Sequence, residues 1–294
     1  MIDVIHNPAA GPKLVNRLDR VRSYLAERGH SFRIRETAAP GDAVVMAREA
    51  ALEGADAVVA VGGDGTMNEV ADGLAGSATR LVLVPHGTGN VFAREFSLPE
   101  SVEGCLDLLS AGKTIAVRMA KANDRRFVLL ASAGFDAEVV ERMSSRQKNL
   151  LGIAAYVLCG ARHLLRSQPT LWIEFPDRGR VEAQAVIVVR GKKYGGNVTI
   201  APDGDIAGET LQVIALLRKG RWSIAKFALD ALRGVHTASR HVLVRESPSL
   251  FVRCAIPSAC QVDGEYLGPL PVRFTVTDAL LRIVVPAEFP SPAA

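Results

Sequence analysis

The run Ala57-Val58-Val59-Ala60-Val61, followed at once by Gly62-Gly63-Asp64-Gly65, leaves few folds open to this chain. Small and branched apolar residues without polar alternation read as a strand buried on both faces, the kind found inside parallel sheets. The pattern after Thr66-Met67-Asn68-Glu69-Val70 is helical, so the glycines form the turn between a strand and a helix. Such a turn lets backbone amides approach a ligand where any Cβ would collide, and the next helix begins with unpaired N–H groups and a positive dipole end. A carboxylate in the middle of that turn, Asp64, would repel a bare phosphate. It points instead to a bound cation or to a hydroxyl that has to be activated.

The chain has 294 residues, enough for two domains with separate cores, and 48% of them are hydrophobic with 22% charged, which excludes a disordered protein. A net charge of +4 is too small to imply nucleic acid, and none is expected as a partner. Cys105, Cys159, Cys254 and Cys260 show no metal-finger spacing and read as reduced packing residues of a cytoplasmic protein. The first residues run straight into a strand rather than a signal peptide. The longest uncharged apolar stretch, 149–161, falls short of the ~20 residues that cross a bilayer.

Along the first part of the chain, strands at Ile2–Ile5, Phe32–Ile34, Ala57–Val61 and Leu81–Val84 alternate with helical segments. One of these carries Leu14, Leu18, Val21 and Leu25 on one face, and another ends near Leu52. That alternation predicts a parallel sheet with right-handed crossovers and ligands at the carboxyl ends of the strands. Pro85-His86-Gly87-Thr88-Gly89-Asn90-Val91-Phe92-Ala93-Arg94 repeats the logic of the first loop, and the two loops would wall one nucleotide site. Beyond Gly112 the texture changes to many short strands, among them Phe127–Ala131, Ala185–Val189, Leu211–Leu217, Val272–Val276 and Leu280–Val285. Helical stretches near 136–166 and 222–233 interrupt them. This predicts an antiparallel β-rich second domain, with a boundary near residue 117 and a loose proline-rich tail that can pack back on the first domain.

Asn7-Pro8-Ala9-Ala10-Gly11, the Gly62–Val70 block, Pro85–Arg94, Gly134-Phe135-Asp136-Ala137 and Val262-Asp263-Gly264-Glu265 follow one another in this order. Together they resemble the diacylglycerol kinase catalytic-domain family, which includes bacterial diacylglycerol kinases and relatives acting on sphingoid bases and ceramide. The resemblance implies an α/β domain of the NAD kinase and phosphofructokinase type at residues 1–117, and a β-rich sandwich at 118–294. It implies transfer of the γ-phosphate of ATP, with Mg2+, to a lipid hydroxyl, diacylglycerol first and a sphingoid base or ceramide as the alternative. Nucleotide contacts are implied at Asn7, Thr37, Gly62, Gly63, Asp64, Gly65, Thr66, Asn68, Glu69, Gly87 and Thr88. Asp64 and Asp136 match carboxylates linked to the catalytic magnesium through water, and Glu265 or Asp263 would take the proton from the acceptor, with Asp64 as the third catalytic residue. Two departures stand out: Val91 occupies a position the family usually gives to aspartate, and Gly208-Glu209 replaces an Asp-Gly pair that ligates a structural metal in some bacterial members, leaving Asp203 and Asp205 nearby.

Plainer roles exist for each residue. A short glycine motif can be a tight turn, Asp136 a helix cap, Asp263-Gly264 a hairpin turn, and His86 a residue that orients its loop. The chain lacks both the GxxxxGK[ST] loop and the HRD and DFG set of protein kinases. A soluble NAD-kinase-like enzyme and a non-catalytic lipid or nucleotide sensor are the competing functions. Arg142–Ile173 carries five Lys or Arg and no Asp or Glu around an apolar run, and Arg190–Tyr194 and Arg218–Trp222 add basic and aromatic residues. These suit an anionic membrane surface, so the expected location is peripheral to the inner face of the membrane. A second copy of the chain is a further candidate partner.

Overall fold

The computed structural model describes residues 1–10, 16–87, 89–142, 159–160, 162–164, 169–195 and 198–290. The chain divides into two compact units, one of residues 1–119 with 278–294 and the other of residues 120–277.

In the first unit, strands β1 (Ile2–His6), β2 (Phe32–Glu36), β3 (Ala57–Gly62) and β4 (Arg80–Pro85) form a parallel sheet in the order β2-β1-β3-β4. Every residue of β3 is buried, as expected of a strand with neighbours on both edges and helices on both faces. The helices α1 (Arg17–Glu27), α2 (Asp42–Leu52), α3 (Asp64–Leu74), α4 (Val91–Glu95) and α5 (Val102–Ala111) lie between and after these strands. Local chemistry sets their starts: Asn16 caps α1 through the Asp19 amide and Ser101 caps α5 through the Gly104 amide. Residues of the last strand, Arg282 and Ile283, pair in parallel with Arg80 and Leu81 of β4. The tail is anchored here too, since the Phe289 ring lies 6.0 Å from that of Phe96.

The second unit is an antiparallel sandwich. Its strands are the end of β5 (Lys113–Ala122), which begins in the first unit, then β6 (Arg125–Phe127), β7 (Leu130–Gly134), β8 (Leu171–Glu174), β9 (Arg180–Ala183), β10 (Ala185–Val189), β11 (Lys193–Tyr194), β12 (Val198–Thr199), β13 (Leu211–Leu216), β14 (Val242–Ser247), β15 (Ser249–Cys254), β16 (Ala259–Val262), β17 (Glu265–Pro269) and the first half of β18 (Val272–Val285), whose second half belongs to the first unit. One sheet runs β14-β13-β10-β7-β16-β17 and the other places β15 between β18 and β8, with β9 outermost. Phe127, Leu171, Ile173, Val186, Val188, Val213, Val252 and Phe274 fill the core between them. Helix α6 (Phe135–Arg142) follows β7, and helix α7 (Arg221–Leu232) covers the other face of the six-stranded sheet, where Phe227 and Ala231 pack with Ile187, Val189 and Ile214.

Two of the expected strands take a different form, and β9, β16 and β17 are strands the sequence reading did not mark. Phe127–Ala131 is broken after Phe127, because the amides of Val128 and Leu129 donate to the Asp263 carboxylate. Residues 272–276 and 280–285 form one strand, since Thr277-Asp278-Ala279 continues extended instead of turning. Of the helix expected near 136–166, residues 143–158, 161 and 165–168 lie outside the described residues.

The loop before β13 is built around a cation that belongs to the chain. Arg190 is fully buried, and its guanidinium donates to the carbonyls of Ile206 (2.9 Å), Gly208 (2.7 Å) and Thr210. Asp205, one of the two nearby carboxylates, accepts from the Ala207 amide within the same loop (3.0 Å). Removing the guanidinium strands three carbonyls at about 1–3 kcal/mol each. Arg190→Met is therefore expected to lower stability by roughly 3 kcal/mol or more, read as a fall in the urea midpoint.

Candidate active site

In the first unit, the four strand ends are tied together by their own backbone and a few side chains. The Asn7 amide bonds to the Val61 carbonyl (3.0 Å), Thr37 to that of His6 (2.9 Å) and His86 to that of Gly62 (2.7 Å). Asn7 Nδ2 donates to Thr66 Oγ1 (2.9 Å), so the first turn is braced on the glycine loop, and Glu69 accepts from the Gly41 amide (2.9 Å) ahead of α2. The two glycine loops nearly touch. A Cβ on Gly87 would lie 3.0 Å from Gly63 Cα and 3.1 Å from Asn90 Oδ1, which itself accepts from the Gly87 amide (2.9 Å). A Cβ on Gly62 would lie 2.6 Å from that of Thr66.

The structure thus brings Asn7, Thr37, Gly62, Gly63, Asp64, Gly65, Thr66, Asn68, Glu69 and Gly87 to one edge of one sheet; Thr88 lies outside the described residues. Asp64 opens α3 and accepts from the Phe92 amide (3.2 Å) at the start of α4. Desolvation raises its pKa, and the amides of Phe92, Val91 and Asn90 and the Arg94 charge only partly offset this. A desolvated carboxylate of that kind gains from a nearby dication.

Two groups here have unmet hydrogen-bonding capacity. Asn68 is buried on α3, and neither its amide nitrogen nor its oxygen has a partner among the described residues. Arg17, at the start of α1, has buried Nε and Nη1 atoms with no acceptor among the described residues. Burial lowers the His86 pKa, and the charges of Arg17 and His6 lower it further. Sequence reasoning missed Arg17, which carries no motif, and gave no role to Asn90, although it lies inside the quoted loop.

The remaining candidates belong to the second unit. Asp136, in the first turn of α6, is fully enclosed by donors: Tyr194 O–H to one oxygen, Ser132 O–H and Gln261 Nε2 (3.3 Å) to the other. Burial raises its pKa against these three hydrogen bonds. Gln261 also accepts from the Gly264 amide (2.8 Å), linking this network to the turn that carries Asp263. Asp263 and Gly264 both have positive φ (45° and 85°), and Val262 pairs with Glu265, so they form the tight turn between β16 and β17. The Asp263 carboxylate accepts from three amides, Val128 (3.0 Å), Leu129 (3.1 Å) and Leu130 (2.9 Å). Glu265 is half exposed, with Arg125 at 3.4 Å. Among the described residues, no group of three or more His, Cys, Asp or Glu side chains could hold a metal.

The folded state holds the Asp136 proton more tightly than the unfolded chain does. Stability from this group is present at acid pH and is lost as pH rises through the ordinary carboxylate range towards the raised folded-state value. Asp136→Asn cannot ionise and lacks that slope. Its stability relative to wild type should improve as pH rises above the ordinary carboxylate range, measured by urea denaturation at each pH.

Comparison with known proteins agrees along the whole chain. Residues 2–122 match the family described as "Diacylglycerol kinase catalytic domain", and residues 130–285 match the "YegS C-terminal NAD kinase beta sandwich-like domain". A diacylglycerol kinase of Bacillus subtilis (strain 168) is 30% identical over 292 residues, covering 97% of this chain and 96% of the relative. One from Staphylococcus aureus (strain JH9) is 29% identical, covering 97% and 92%. Among solved structures, a Bacillus anthracis protein described as a candidate diacylglycerol kinase superimposes with a TM-score of 0.82 at 23% identity, covering 97% of this chain and 94% of that one. A diacylglycerol kinase of the same organism gives 0.72 at 19%, covering 97% and 96%. With an α/β unit that gathers glycine loops at one sheet edge, a β-sandwich unit behind it in sequence, and relatives matched end to end, this chain belongs to the diacylglycerol kinase family of lipid kinases.

Proposed function

We propose that this enzyme transfers the γ-phosphate of ATP to the free hydroxyl of diacylglycerol at an anionic membrane surface. The observation that carries the phosphate half is the unmet capacity of Asn68 near the amino end of α3, beside two glycine loops, with the charge of Arg17 felt at His86 of the second loop. These groups present N–H donors and positive charge at one edge, as a triphosphate needs. Asp64 is the carboxylate that fits a magnesium ion there, its burial favouring a counter-charge; a bound Mg2+ would neutralise the phosphate oxygens as charge shifts to the leaving group. Asp136 already has three donors on its two oxygens, so its support for any cation is indirect.

In the reaction, the acceptor oxygen forms a bond to the γ-phosphorus, the bond to the ADP oxygen breaks, and the hydroxyl proton goes to a base. The turn offers two carboxylates with different surroundings. Both oxygens of Asp263 accept from backbone amides, which ties that carboxylate into its own turn, whereas Glu265 is half exposed beside Arg125 and open to an incoming hydroxyl. We therefore assign Glu265 as the general base and Asp263 as the residue that holds its turn in place. Membrane contact without insertion suits this chain, since no helix among the described residues is long and apolar enough to cross a bilayer.

The test is transfer of labelled γ-phosphate to diacylglycerol, a sphingoid base, ceramide and soluble alcohols in parallel. Glu265→Gln is expected to lower kcat by about 10²- to 10⁴-fold with the KM for ATP unchanged. Asp64→Asn should abolish turnover with the fold retained. Wild-type kcat in Glu265→Gln, or a preference for a soluble alcohol, would overturn the assignment.

A further inference from the structure

Helix α7 is amphipathic in an unusual sense: it has two apolar faces. Ile224, Phe227 and Ala231 turn inward onto the sandwich. On the opposite side Trp222 is 78% exposed, Leu229 46% and Leu232 71%, and Val235 just beyond the helix is 52% exposed. The spacing 222, 229, 232 places these side chains on one outward stripe, with Ala225 between. Burying Trp222 and Leu232 this little costs the isolated protein solvation free energy, and no other element among the described residues of this unit covers them.

Cations rim that stripe. Arg218, Lys219, Arg221, Lys226, Arg233 and Arg240 are all exposed, and the Arg221 guanidinium lies 5.9 Å from the centre of the Trp222 ring. The one acid on the helix, Asp230, is buried and taken by Lys226, while Lys219 pairs with Glu182. The imidazole of His241 feels the surplus, its pKa lowered first by burial and then by Arg218, Arg240 and Lys226. A tryptophan and two leucines flanked by arginines form the pattern of an element that sinks its ring and aliphatic ends below the headgroups while its cations meet phosphate. Two copies of the chain would set cations against cations here, so self-association does not suit the patch.

We propose that the outer face of α7, with Trp222, Leu229, Leu232 and Val235 as anchors and Arg218, Arg221, Arg233 and Arg240 as headgroup contacts, docks this enzyme on an anionic phospholipid bilayer. The inference deepens the lipid-kinase reading by assigning the surface that meets the membrane in which the acceptor resides.

The chain has two tryptophans, so Trp172→Phe leaves Trp222 as the sole reporter. With neither ATP nor acceptor present, that protein is mixed with vesicles of phosphatidylcholine alone or of phosphatidylcholine with phosphatidylglycerol. Trp222 emission should shift to the blue only with the anionic vesicles, and added salt should reverse the shift. In cosedimentation on the otherwise wild-type protein, Leu229→Ser/Leu232→Ser and Arg221→Glu/Arg233→Glu should each weaken partition by at least about tenfold. All four positions are exposed, and the same variants should phosphorylate a short-chain, water-soluble diacylglycerol at the wild-type rate. Wild-type partition by both double variants, or sedimentation with no change in Trp222 emission, would overturn the proposal by placing the contact elsewhere. So would a lipid-free dimer in sedimentation velocity that Leu229→Ser/Leu232→Ser dissociates. Failure of the wild type to phosphorylate any diacylglycerol, with partition as expected, would sink the substrate reading and leave the docking face standing.

Discussion

The backbone of Gly87 lies so near that of Gly63 that a single added methyl group would come within 3.0 Å of the other chain segment. This approach joins the turn after β3 to the turn after β4, and the rest of the candidate nucleotide-binding edge depends on it. The His86 amide can then reach the Gly62 carbonyl, and the Asp64 carboxylate can cap α4. Asn90 closes the second loop on itself. The loops are therefore fixed before any ligand arrives, and the donors that point from them need little reorganisation when charge develops on a phosphate.

The second unit organises its polar groups by the opposite means. Three amides converge on Asp263 in its acidic turn, and two of them, those of Val128 and Leu129, belong to the residues that interrupt the strand between β6 and β7. Breaking one strand thus supplies the donors that hold another. Gln261 extends the bracing inward, joining the Gly264 amide to the buried Ser132 and Asp136 pair. The proposed base, Glu265, needs a defined position more than a special charge, and this framework gives it one.

Much of this was legible in the sequence because it rests on local pattern. The all-buried β3 shows as an uninterrupted apolar run, and α7 and most short strands of the sandwich show through their spacing and turn residues. What escaped depends on contacts between distant residues. Val128 and Leu129 look like strand and become donors to a side chain more than 130 positions away. Arg190 looks like part of a basic surface cluster and is instead buried under three carbonyls, since nothing in its neighbours marks which loop will fold over it. Arg17 lies outside every motif, and its charge is felt at His86 through the fold, not through the sequence.

The strand order carries a consequence for how the protein is made. Chain emerging from a ribosome presents β4 long before Arg282 and Ile283 exist to pair with it, and the whole second unit is synthesised in the interval. Throughout that time one edge of an otherwise complete parallel sheet has open hydrogen-bonding groups and apolar flanks, the condition under which nascent polypeptides stick to one another. The amino-terminal unit is thus the first to be started and the last to be finished.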